Sequence, residues 1–178
     1  MYRTHISPII SLLTSSHNSP HSHHRHERGF SLIELMIVIS IMGILIAIGI
    51  PAYKNITIAA NEAAAIKTLK TISTDQRVYF NRKNRTAYAA SFKDMIAAGA
   101  LDGRFDADTP GVDGFTFTLK ATPKTGNQPP TYTINADPIE GGALTPTSDN
   151  HYYIDSGSDS VHVSTSGAAT PADPVVGQ

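Results

Sequence analysis

Hydrophobic and polar positions follow two different rules along this chain, and the change falls near residue 50. Between Phe30 and Ile50 almost every position is apolar and Glu34 is the only charge. As a helix, at about 1.5 Å per residue, that run is roughly 30 Å long, the thickness of a bilayer's hydrocarbon core. It therefore predicts a membrane span carrying a water-soluble head. Past Pro51 the pattern becomes periodic. Ile56, Ala59, Ala63, Ile66, Leu69 and Ile72 recur at three- and four-residue spacing, while Lys54, Glu62, Lys67, Lys70 and Asp75 fall mostly elsewhere on the wheel. This spacing predicts that the helix continues from Ala52 to about Arg82 as an amphipathic one.

A short helix is expected at Ser91–Ala98, with Ser91 as its N-cap and Gly99 as its stop. Four strand-like runs follow at Phe115–Ala121, Tyr132–Ala136, His151–Asp155 and Ser160–Ser164. Alternation in Phe115-Thr116-Phe117-Thr118-Leu119 marks a strand with one face buried and one in water. Stretches rich in Pro, Gly and Asn separate the first three runs, and Ser156-Gly157-Ser158-Asp159 joins the last two, so an antiparallel meander is the simplest topology. The apolar stripe of the helix must lie on that sheet. The expected class is α+β: a long N-terminal helix, transmembrane in its first half and amphipathic in its second, on a small antiparallel sheet of about four strands. Residues 165–178 are small, polar and Pro-containing, and are expected to form a flexible tail.

Charge orients the span. Arg25 and Arg28 lie just before it and no Lys or Arg follows until Lys54, so the positive-inside rule puts residue 1 in the cytoplasm and the head outside. A discarded secretory signal would have a shorter apolar core and a small-x-small cleavage site close behind it. The weak patch Ile9–Leu13 is too short for one and lacks a processing site. The net charge of −1 gives no basic field of nucleic-acid size, and the absence of cysteine removes disulfides, Cys-ligated metals and thiol catalysis.

Glu34 is the anomaly. A carboxylate deep in a membrane segment costs about 2.5–3.5 kcal/mol on insertion scales, so it reports a partner or a function. Near the helix start it can instead reach interfacial water and the positive end of the helix dipole. Its surroundings add a second kind of information. The run Arg28-Gly29-Phe30-Ser31-Leu32-Ile33-Glu34-Leu35-Met36, continuing apolar through Gly43 to Pro51 and Ala52-Tyr53, resembles the cleavage and methylation signature of type IV prepilins and pilin-like pseudopilins.

That resemblance covers about the first sixty residues. It implies a leader, residues 1–29, removed after Gly29 by a membrane-embedded prepilin peptidase, and N-methylation of the new terminus at Phe30. It implies an assembly helix, residues 30–51, on a pilin-like head, residues 52–164. Cleavage would free an ammonium on Phe30 at the edge of the apolar phase, and Glu34, one turn on, would be its counter-charge. In a filament of the family, Glu34 meets the Phe30 amine of a neighbouring subunit. Gly43, Gly49 and Pro51 would form a zone that bends or partly unwinds; an ordinary Pro kink where the span ends accounts for the same residues. The implied partners are copies of the chain, the peptidase, an inner-membrane assembly platform and, before assembly, the bilayer. The implied location is the bacterial inner membrane, single-pass, then a cell-surface or periplasmic filament. A type II secretion pseudopilin, a minor pilin, and an anchored binding domain that never polymerises are the competing readings.

Other signals are weaker. The leader holds His5, His17, His21, His23, His24 and His26, a cluster that could bind Zn or Ni but is removed with the leader. A start codon assigned too far upstream would also account for its length. Asp155-Ser156-Gly157-Ser158-Asp159 sets oxygen ligands around a Gly as a calcium loop would, without the spacing of an EF-hand; a plain hairpin turn explains it too. Arg77, Arg82, Lys83 and Arg85 interleave with Tyr79, Phe80 and Tyr88, which suits single-stranded DNA but equally a helix end carrying cations for its dipole. His151 and His162 come with no nucleophile elbow, metal-binding pair or phosphate loop, so no cofactor and no enzyme activity are expected. His162, between Val161 and Val163, is expected to face solvent.

Overall fold

The structure, a computed structural model, describes residues 29–83, 85–139 and 148–177. The histidine-rich leader, apart from Gly29, lies outside the described residues. The chain forms two compact units, residues 1–41 and 42–178. In the first, the described part is helical from Leu32 onward, the start of helix α1 (Leu32–Arg82).

In the second unit, the later turns of α1 carry the sheet. Helix α2 (Phe92–Ala97) follows, then a 3-10 turn at Gly103–Phe105. The strands are β1 (Gly111–Val112), β2 (Phe115–Thr122), β3 (Thr131–Pro138), β4 (His151–Asp155) and β5 (His162–Ser164). They lie in the order β1-β2-β3-β4-β5, every neighbour antiparallel, so the sheet is the expected meander with five strands in place of about four. The two-residue β1 is too short to leave a periodic signal. It turns into β2 through Asp113 (φ 52°) and Gly114 (φ 80°). Gly114 is needed twice, for its left-handed backbone and because a Cβ there would stand 3.1 Å from Asn61 Nδ2.

Alternation builds the core. Phe115 and Phe117 of β2, Tyr132, Ile134 and Ala136 of β3, and Tyr152 and Ile154 of β4 point inward onto Ala65, Leu69 and Ile72 of α1. Phe92 and Met95 of α2, with Phe105, close one end. Each such buried side chain contributes about 1.5–3 kcal/mol from removal of its surface from water. Aromatic contacts run through this core, with Tyr88 edge-on to Tyr132 at 4.7 Å and Phe105 edge-on to Phe117 at 5.9 Å. Ser91 caps α2 in a full capping box with Asp94, and Gly99 (φ 65°) terminates it, as expected.

Three expectations about the head need correction. The buried face of α1 includes Leu69 and Ile72, but also Thr68, Ser73 and Gln76, while Ile56, Ala59 and Ala63 are exposed. The buried polar groups are paired. Ser73 Oγ shares a hydrogen bond of 2.8 Å with the Tyr132 hydroxyl, and Gln76 clamps Ala89, donating from Nε2 to its carbonyl at 3.1 Å and accepting from its N–H at 2.9 Å. Burial of Ser73 and Gln76 is tolerated because their polar atoms find partners.

The C-terminal residues are the second correction. They do not form a loose tail in the described part, which runs to Gly177. Val163 N–H donates to Pro174 O at 2.9 Å and Val176 N–H to Val161 O at 2.8 Å, so the segment pairs with β5. Ala169 is 3% exposed and its carbonyl accepts from Asn135 Nδ2 at 3.0 Å. Nor is His162 simply solvent-facing: it is half-buried, and its Nδ1 donates to the carbonyl of Asp173 at 2.6 Å.

Candidate functional site

The junction singled out by sequence is an exposed stretch of backbone leading into a helix. Gly29 and Phe30 precede α1; Phe30 is 79% exposed, and no atom lies within 4 Å of where a Gly29 Cβ would be. Ser31 is the helix N-cap, its carbonyl accepting from Leu35 N–H at 3.2 Å. Glu34, three residues on, turns back so that Oε2 accepts from Ser31 N–H at 3.1 Å. This is half of a capping box. The Ser-x-x-Glu spacing was visible in the sequence but was eclipsed by the membrane reading of Glu34. The carboxylate thus satisfies a free donor at the positive end of the helix, one turn from Phe30.

On both sides of Glu34 in the sequence the helix presents apolar side chains all round: Leu32, Ile33, Met36, Ile39, Met42, Leu45 and Ile48 are each more than half exposed. It is long and apolar enough to cross a membrane, and none of its most apolar window is buried. Ser40, the polar residue within it, donates to Met36 O at 2.7 Å and so brings no unpaired hydroxyl into the apolar phase. Gly43, Gly49 and Pro51 all lie inside α1, and nothing fills the space where a Cβ would stand on either glycine.

The structure does not bring the other candidates together as ligand sites. Asp155 Oδ1 accepts from Gly157 N–H at 2.8 Å and Ser158 N–H at 2.9 Å, and Oδ2 from the Tyr153 hydroxyl at 3.0 Å. Asp159 faces the other way, in a two-pronged pair with Arg77. Their oxygens are engaged by donors, which is the hairpin-turn reading of this segment. Among the described residues no group of three His, Cys, Asp or Glu side chains could hold a metal.

The cations of the mixed cluster are exposed, but Arg77, Arg82 and Lys83 have partners within the chain. Arg77 pairs with Asp159, Arg82 donates to Ala98 O at 3.0 Å, and Lys83 sits 5.6 Å from the centre of the Tyr79 ring. Phe80 stacks on Tyr88 at 4.5 Å, and Tyr88 in turn packs on core Tyr132. These contacts fasten the end of α1 to the loop after it and to the β4–β5 turn. His151 pairs across strands with Asp137 at 2.7 Å.

Sequence reasoning missed a polar cluster on the head centred on one carboxylate. Glu62 of α1 accepts from the Ser148 hydroxyl and from Asn150 Nδ2 at 2.8 Å, tying the entry to β4 onto the helix. Burial first, then the nearby Glu62 charge, pushes the Tyr152 phenol up to about 12. The partners lie more than eighty residues apart in sequence, and no local pattern announces them.

Residues 24–50 match the family model described as the prokaryotic N-terminal methylation motif, a span that encloses Gly29, Phe30 and Glu34. Through this stretch the chain is similar to type IV pilin proteins. It is similar to the type IV major pilin protein PilA of Myxococcus xanthus, 35% identical over 96 residues, which is 47% of this chain and 44% of the relative. A fimbrial protein of Moraxella nonliquefaciens is 41% identical over 85 residues, 47% of this chain and 53% of the relative. The type IV major pilin protein PilE1 of Neisseria gonorrhoeae is 55% identical over 40 residues, 22% of this chain and 24% of the relative. The chain spans about half, or less, of the length of these curated relatives. No solved structure matches it.

Proposed function

We propose that this chain is a structural subunit of a type IV pilus, a filament of many copies joined through the apolar helix. The observation that carries this reading is the exposed Gly29–Phe30 junction, one turn before the lone carboxylate of the apolar run 30–50, inside the methylation motif. The relatives above bear pilin and fimbrial names, which supports a pilus over a secretion filament.

In this account the chemistry belongs to a prepilin peptidase, and the chain is its substrate. Hydrolysis of the peptide bond after Gly29 consumes one water, leaving a carboxylate on Gly29 and an ammonium on Phe30; once that ammonium gives up a proton, its nitrogen takes a methyl group from a methyl-sulfonium donor, whose carbon–sulfur bond breaks to leave a thioether. Side-chain-free Gly29 and an exposed backbone give an enzyme access to the bond. Before cleavage Glu34 is satisfied by Ser31 N–H. After it, the Phe30 ammonium of a neighbouring copy offers a full charge in place of a partial one. A pair of opposite charges tolerates an apolar setting far better than either alone, so an arriving subunit is held at one axial register. The apolar helices then exchange lipid for one another, and Gly43, Gly49 and Pro51 allow close approach and bending.

The inner membrane, with residue 1 on the cytoplasmic side, and an assembly platform there complete the reading. Substituting Gly29→Val in the full chain tests it. The expected result is uncleaved precursor in the membrane and no surface filaments; normal filaments with the native mass would contradict it.

A further inference from the structure

Strand β5 is the last of the sheet, and its outer side is taken by the chain's own C-terminal segment. Backbone groups on a strand point alternately to its two neighbours. On β5, Tyr153 of β4 lies opposite His162 on the inner side, while Val161 O and Val163 N–H point outward and are met by Val176 N–H and Pro174 O. Val175 therefore sits directly opposite His162.

Several side chains hold this strap in place. Asn135 grips the Ala169 carbonyl, His162 the Asp173 carbonyl, and Asp173 Oδ2 accepts from both Thr170 N–H at 2.7 Å and Thr170 Oγ1 at 2.8 Å. The opposite edge is protected differently, since β1 is only two residues long and follows Pro110, which has no N–H.

The pattern left on β5 is self-complementary. An antiparallel strand centred opposite His162 must offer one N–H to Val161 O and one carbonyl to Val163 N–H. A second β5, related by a two-fold axis through His162, offers its own Val163 N–H and Val161 O in those two places. We propose that the strap is an edge guard: residues 171–177 occupy a strand-addition site on β5 that otherwise pairs with β5 of a second copy of this chain. Loss of the C-terminal residues converts a non-pairing head into a pairing one. The inference concerns the head alone and holds whether or not the apolar helix drives filament assembly.

The absence of cysteine provides the test. In a non-hydrogen-bonded antiparallel pair the facing Cα atoms are about 4.5 Å apart, within disulfide range. The full chain in detergent, carrying His162→Cys, is compared with the same variant ended after Thr170, which keeps the buried Ala169. Under mild oxidation the shortened chain is expected to give at least several-fold more disulfide dimer. Adding Val163→Pro removes the outward N–H without touching β4, and is expected to return dimer to the full-chain level. Equal dimer in full and shortened chains, or dimer indifferent to Val163→Pro, overturns the proposal. So does loss of the tyrosine near-ultraviolet circular dichroism in the shortened chain, because a guard must be dispensable to the fold it guards.

Discussion

Replacing Glu34 by Gln and by Ala separates the cap that the geometry shows for this carboxylate from the counter-charge role proposed for it. Its Oε2 accepts from Ser31 N–H at 3.1 Å, and the amide oxygen of Gln can do the same; Ala cannot. Loss of that cap costs about 1 kcal/mol, roughly a fivefold change in an equilibrium constant. Both substitutions remove the charge. Leaving one member of a desolvated ion pair alone costs about 3–5 kcal/mol, and at about 1.4 kcal/mol per tenfold that is roughly two to three and a half powers of ten per subunit added. The charge term exceeds the cap term several-fold. Both variants should therefore be cleaved normally yet fail to assemble, and to similar extents. The assay is the yield of sheared filaments set against processed subunit in the membrane, with the N-terminus of each read by mass spectrometry. Filaments from Glu34→Gln within threefold of the parent, with Glu34→Ala failing, would make Glu34 a helix cap and refute the pairing argument.

Other outcomes follow from the head. Gln76→Ala strands the buried N–H and carbonyl of Ala89, each costing about 1–3 kcal/mol, so the denaturation midpoint of the detergent-solubilised chain should fall by an amount equivalent to about 2–6 kcal/mol; a shift under about 0.5 kcal/mol would contradict the clamp. Burial, chiefly, holds the phenols of Tyr152 and Tyr153 up to about 12, against an ordinary value of 10.0, so both stay neutral in the fold after an unfolded chain would have ionised them. The unfolded state then binds fewer protons, and stability present below pH 10 should be lost as pH rises from about 10 to about 12. Absorbance titration at alkaline pH checks this, and ionisation of all seven tyrosines together near pH 10 without unfolding would oppose it.

Much of this architecture was legible because it rests on periodicity. Alternation marked β2, and Ser91 and Gly99 bracketed α2, since strand pleat and helix caps are local in sequence. What escaped notice is non-local. Thr68, Ser73 and Gln76 look like surface residues until Tyr132 and Ala89 are brought against the last two. The C-terminal strap looks disordered by composition, yet its ladder to β5 uses backbone groups that any residue carries, and its few small apolar residues, Ala169 and Val176 among them, are what pack. The methylation motif itself was readable because it is a short linear sequence. The cap between Glu34 and Ser31 was equally local, but was masked by the stronger expectation of a distant partner.

The mass and N-terminal sequence of the mature chain, purified from native membranes or sheared filaments, bear most directly on this account. It predicts a polypeptide that begins at Phe30 with one methyl group on its α-nitrogen. A mature chain that begins at Met1, or anywhere other than Phe30, would leave Glu34 without an ammonium one turn away and would contradict it.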